Sequence, residues 1–179
     1  FRGLISWYLC IIVNRILLIS RGGDQLLAGN MMNVTNFVKF EFQSLPENVA
    51  FARACVGAFA AQIECTLEDI EEIRLVVSEA VSNSIIHGYD NRPGEKVEIM
   101  VTIMNHDTLE IIIKDYGKGI SNLEQALEPA YSSEPGRMGM GFTFMRSFMD
   151  EMEVLSQPGE GTSVRLRRSF RVHDDSVLA

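Results

Sequence analysis

The sequence predicts an α+β fold, a two-layer α/β sandwich in which helices pack on one face of a mixed sheet. Three observations carry that expectation. Phe37-Val38-Lys39-Phe40-Glu41-Phe42 alternates apolar with charged residues, the period of a half-buried strand. Two segments with helical apolar spacing follow it directly. Four further strand-like runs come after them, with one more helical stretch in their midst. The resulting order is β-α-α-β-β-loop-α-β-β, and 179 residues with 46% apolar composition provide one core of that size.

The first strand begins near Val34. The first helix opens at Ser44 or Pro46 and runs to Ile63, with Val49, Ala52, Val56, Phe59, Ala60 and Ile63 at the three-and-four spacing of one face. Thr66 with Asp69 three residues on makes a capping-box start for the second helix. Glu68, Asp69, Glu71 and Glu72 suit its positive end, and Gly88 closes it. Asn91-Arg92-Pro93-Gly94 is a turn. Val97–Met104 and Leu109–Lys114 then form a hairpin joined near Asn105-His106-Asp107. A polar, glycine-rich stretch runs from Asp115 to Gly141, long enough to be the first place to look for a site. A helix over Phe142–Glu151 and two strands, Glu153–Ser156 and Thr162–Phe170, complete the pattern. Arg165-Leu166-Arg167-Arg168 reads as one exposed strand face.

The net charge of -8, without a basic stripe, argues against direct nucleic-acid binding and points to proteins or nucleotides as partners. Cys10, Cys55 and Cys65 are odd in number and contain no Cys-x-x-Cys pair, so a disulfide framework or zinc site is not expected, and a reducing cytoplasm fits. Residues 1–30 differ from the rest. Their apolar run, Leu4–Ile19, is shorter than the ~20 residues of a membrane span and is interrupted at Asn14-Arg15. These thirty residues are read as an extension, disordered or translated from upstream sequence, with a membrane anchor as the alternative. The domain is expected over 31–172 and a flexible tail over 173–179.

On the second helix, Ile70, Ile73, Val77, Ala80, Val81 and Ser84 share the side that faces the sheet. Glu79, Asn83 and His87 stack along another edge at i, i+4 and i+8, a pattern that a solvated face produces equally well. Asp115-Tyr116-Gly117-Lys118-Gly119 begins at a strand end, where glycines let backbone approach a ligand and the carboxylate is placed to accept from a base; a capped turn would look the same. Gly139-Met140-Gly141-Phe142-Thr143 precedes a helix, whose unpaired amides suit phosphate. The P-loop, the His-Arg-Asp catalytic loop and the dinucleotide glycine fingerprint do not occur.

In order and combination these segments resemble the GHKL family of ATPases and kinases: Glu79-x-x-x-Asn83 its N box, Asp115-x-Gly117-x-Gly119 its first glycine box, Gly139-x-Gly141 its second. Within it, the chain is most similar to the anti-sigma factor serine kinases. That likeness is carried by the run Val77–Tyr89, by Met140-Gly141-Phe142-Thr143 and by Phe148-Met149-Asp150-Glu151, and it covers about Met32–Phe170. The resemblance implies ATP and Mg²⁺, with Asn83 holding the metal against the phosphates and Glu79 as general base. It implies Asp115 as the acceptor of the adenine amino group, Gly117 and Gly119 at the base, and Gly139, Gly141 and Thr143 at the phosphates. Arg137 would approach the terminal phosphate, and Thr162 would support adenine through water. It further implies a homodimer that holds a sporulation sigma factor of the sigma F type through Arg53 and phosphorylates a serine of an anti-anti-sigma antagonist. The alternative is an ATP-dependent binding switch that transfers no phosphate.

Overall fold

In a computed structural model, residues 33–128 and 141–170 are described, all within one compact unit. The expectations placed on residues 1–30, on Arg137 and Gly139, and on the tail lie outside them. Strand β1 spans Val34–Gln43, helix α1 Asn48–Ala60 and helix α2 Leu67–Asn83. Strands β2 (Lys96–Met104) and β3 (Thr108–Asp115) follow, then a short helix α3 (Leu123–Ala126) inside the stretch expected to be loop. Helix α4 (Gly141–Phe148) and strands β4 (Glu151–Gln157) and β5 (Gly161–Ser169) complete the order.

The α+β architecture stands, and one detail of it is corrected. The strands run β1-β2-β3-β5-β4, and every neighbouring pair is antiparallel, so the sheet is not mixed. The connection through α3 and α4 does leave β3 and β4 pointing the same way. Strand β5 lies between them and pairs antiparallel with both, so no parallel ladder forms.

Alternation decides what the sheet buries. Val97, Ile99, Val101, Leu109, Ile111, Ile113, Val164 and Leu166 all point to the helix face at 6% exposure or less, against Ile73, Val76, Val77, Ala80 and Val81 of α2. At about 25 cal/mol per Å² of apolar surface, burial of this seam favours folding. Helix α2 starts on the expected capping box: Thr66 Oγ1 accepts from the Asp69 amide at 3.1 Å, and the Thr66 amide donates to Asp69 Oδ2 at 2.8 Å.

The arginine run does not lie on one face. Arg165 and Arg167 pair with Glu110, Glu153 and Glu151 on the far side of the sheet. Arg168, one step out of phase, crosses to the helix side and bridges Asp69 and Glu72 at the start of α2. Period two forces that division, because adjacent strand residues cannot share a face.

Candidate functional site

Helix α2 sets the first part of the site. Glu79 and Asn83 lie one turn apart on it, both half-buried. Gly141, the first residue of α4, lies directly against them: a Cβ there would stand 3.2 Å from Asn83 Nδ2 and 3.3 Å from Glu79 Oε2. The glycine is what allows the start of α4 to come so near the pair. A carboxylate, an amide and a helix N-terminus therefore share one small volume. Two oxygen donors suit a hard cation such as Mg²⁺, which binds through one or two protein groups and takes its remaining ligands from water and phosphate.

His87 lies past the end of the regular helix that carries Glu79 and Asn83. After Asn83 the helix widens into a π-helical turn over Ser84–Gly88, with the Tyr89 amide donating to the Ser84 carbonyl at 3.0 Å. The regular α-helical part of the stripe therefore ends at Asn83, and His87 lies in the wider turn.

The second part is built around Asp115, the last residue of β3, which is 2% exposed. Its Oδ1 accepts from the Gly117 amide at 3.0 Å and the Thr162 amide at 3.1 Å. Burial pushes its carboxyl above the ordinary range, partly offset by those two amides and the Ser84 hydroxyl. A buried carboxylate at a strand end, already oriented by backbone donors, is a directional acceptor for an N–H donor on a ligand.

Close backbone approaches frame it. Gly117 has no room for a Cβ beside the Gly88 carbonyl, and Gly119, at φ 69°, has none beside the Gln157 carbonyl. The β4–β5 turn is drawn in by Ser156. Its hydroxyl accepts from the Ile120 amide at 2.9 Å, donates to the Gly161 carbonyl at 3.0 Å and lies 3.0 Å from Thr162 Oγ1.

The fold thus brings Glu79, Asn83 and Gly141 together, with Thr143 half-buried on the first turn of α4, and separately gathers Asp115, Gly117, Gly119 and Thr162. Arg53 is exposed on α1. Sequence reasoning missed Gly88, Tyr89, Ser156 and Gly161. Gly88 read only as a helix stop, yet a Cβ on it would stand 3.0 Å from the Asp115 carboxylate. The available signal was a glycine at the end of the helix whose polar edge had already been singled out. Among the described residues, no helix is long and apolar enough to cross a membrane, and no cluster of three or more His, Cys, Asp or Glu forms a metal site.

Residues 42–168 match the family model described as the histidine kinase-like ATPase domain. The chain is 50% identical over 139 residues to the anti-sigma F factor of Clostridium beijerinckii, an alignment covering 76% of this chain and 96% of that protein. It is 48% identical over 133 residues to the anti-sigma F factor of Anoxybacillus flavithermus, covering 73% and 90%. Among solved structures, the RsbU and RsbW domains of a Mycobacterium tuberculosis protein align with a TM-score of 0.55 at 16% identity, over 77% of this chain and 35% of that one. That likeness is one of fold.

Proposed function

The chain belongs to the anti-sigma F factor family, built on a histidine kinase-like ATPase domain, and from that premise we propose that it inhibits a sporulation sigma factor of the sigma F type and phosphorylates a serine of its anti-anti-sigma antagonist. The observation that carries the catalytic half of this reading is the placement of Gly141 against Glu79 and Asn83. A general base, an oxygen donor for a cation and a phosphate-binding helix start are what phosphoryl transfer requires, since that reaction is mostly positioning and charge neutralisation.

In this reading Asp115 accepts a hydrogen bond from the adenine amino group, Gly117 and Gly119 keep the loop close to the base, and Thr162 supports it through water. Gly139, Gly141 and Thr143 bind the phosphates, and Arg137 approaches the terminal one. Asn83 would hold Mg²⁺, which when bound would supply neutralisation of phosphate charge. Glu79 accepts the proton of the substrate serine as its oxygen forms a bond to the γ-phosphorus. The bond from that phosphorus to the bridging oxygen breaks, and ADP leaves with the electron pair. Arg53, exposed on α1, contacts the sigma factor and the antagonist in turn. The functional unit is a cytoplasmic homodimer whose kinase domain spans 31–172.

The test incubates the protein with Mg²⁺, γ-labelled ATP and its candidate anti-anti-sigma protein. Label on a serine of that protein is the expected result. Tight, ATP-dependent binding without label would replace this reading with that of a nucleotide-controlled switch.

A further inference from the structure

The β2–β3 ladder ends beside Asp115 in an unusual way. Its last pair is Val97 with Asp115, and continuing the register would bring Lys96 opposite Tyr116. No direct ladder bond is made there. The hydroxyl of Tyr89 stands between the two strands, accepting from the Tyr116 amide at 2.7 Å and donating to the Lys96 carbonyl. It occupies the place of a bridging water in a ladder opened by one side chain. Tyr89 is 1% exposed and closely packed, so its hydroxyl is fixed in that position. Burial pushes the phenol above its ordinary value, the Tyr116 amide opposing, so the hydroxyl keeps the proton it donates.

The neighbouring residue holds the same loop from beneath. The Gly88 carbonyl accepts from the Lys118 amide at 2.9 Å, and the Gly88 Cα packs under the Asp115 carboxylate. The segment that follows Asp115 is thus tethered twice, at Tyr116 to the Tyr89 hydroxyl and at Lys118 to the Gly88 carbonyl. Both tethers come from the end of α2, where Gly88 is the last residue of the π-helical turn and Tyr89 its cap. A π-helical turn is uncommon and frequently occurs at functional sites.

We infer that Tyr89 is a positioning residue for adenine recognition: its hydroxyl, inserted into the β2–β3 ladder, opens the strand end and fixes the direction in which Asp115 presents its carboxylate. Gly88 supports the same carboxylate because a Cβ there would stand 3.0 Å from it, close enough that the carboxylate would have to give by a few tenths of an ångström. The inference rests on the reading that Asp115 binds the adenine amino group. The ring of Tyr89 belongs to the core, so Tyr89→Phe keeps the packing and removes only the bridge.

The experiment measures binding of ATP and of purine riboside triphosphate, which lacks the 6-amino group, to the full chain with Mg²⁺. Wild type, Tyr89→Phe, Gly88→Ala and Asp115→Asn are compared, with kcat and KM for ATP measured on the two Tyr89 forms. Wild type is expected to prefer ATP, and Asp115→Asn to lose that preference. Tyr89→Phe is expected to weaken ATP binding about tenfold, leave the analogue nearly unaffected and raise KM without lowering kcat. A purely structural role would weaken both nucleotides alike. If wild type shows no preference, or Asp115→Asn keeps it, the adenine reading itself fails. If those two behave as expected while Tyr89→Phe and Gly88→Ala both retain the wild-type preference, the positioning role is overturned. Should Tyr89→Phe not fold, Gly88→Ala alone decides by the same comparison.

Discussion

Replacing Asp115 with asparagine is expected to move binding and stability in opposite directions. Asparagine keeps the shape and, through its carbonyl oxygen, the bonds from the Gly117 and Thr162 amides. It puts an N–H donor where the other carboxylate oxygen stood, facing a second donor on adenine. A hydrogen bond to an ionised acceptor is worth about 1.5–3 kcal/mol, which corresponds to a roughly ten- to hundredfold loss of ATP affinity. Stability of the nucleotide-free protein should rise, because burial is the largest influence on this carboxyl and drives its pKa upward against the opposing hydrogen bonds. The sign follows from linkage: a carboxyl with a raised folded-state pKa contributes stability below its unfolded value that is lost as pH rises through the folded one. At pH 7 the wild type therefore carries the cost of a buried charge and the variant does not, and the gap closes as pH falls to about 4. Calorimetric titration with ATP and thermal melting without nucleotide read the two effects, with each kcal/mol moving Tm by roughly 2–5 °C in a domain of this size. A variant that melts lower than wild type and binds ATP as tightly would refute the argument on both counts.

Other positions yield separate expectations. Glu79→Ala should keep ATP affinity within a few-fold and slow phosphotransfer by about 10²–10⁴, as loss of a general base does; equal loss of both, seen by titration and label transfer, would remove that assignment. Arg168→Ala breaks the bridge to Asp69 and Glu72 and should cost about 2 kcal/mol, between the values for exposed and buried pairs, with ATP binding unchanged in the same preparation. Burial opposes ionisation of Glu98, but Lys96, Lys39 and Tyr116 outweigh it and hold its carboxyl at about 2. Its stabilising contribution is then present above the unfolded value of 4.5 and lost as pH falls from there towards 2. Glu98→Gln should accordingly melt lower than wild type at neutral pH, by a margin that shrinks over that interval.

The elements were legible wherever one period dominated. Phe37–Phe42 alternates so regularly that β1 could be read directly, and the Thr66–Asp69 capping box located the start of α2 within one residue. Strand adjacency was not legible, because β5 inserts between β3 and β4 through contacts made across fifty residues of chain. The site was legible in pieces that share no local pattern. Glu79 and Asn83 look like any solvated edge until Gly141 is brought against them. Arg168 was misread as part of an exposed face because its partners are about a hundred residues earlier, on α2. The π-helical turn left no trace in apolar periodicity, since Ser84, Ile85 and Gly88 continue the buried side as an α-helix would.

That turn explains how one helix can serve both parts of the site. Glu79 and Asn83 lie in regular α geometry, where residues four apart share an edge. Gly88 and Tyr89 need to leave that geometry, because one must pass beneath the Asp115 carboxylate and the other must reach into the β2–β3 ladder. Successive residues of an α-helix advance 1.5 Å and rotate 100°, so a regular continuation past Asn83 would direct Tyr89 to a different side. Widening the last turn redirects those two residues while leaving Glu79 and Asn83 in register. The spacing between the two groups therefore follows from backbone hydrogen bonding between Ser84 and Tyr89.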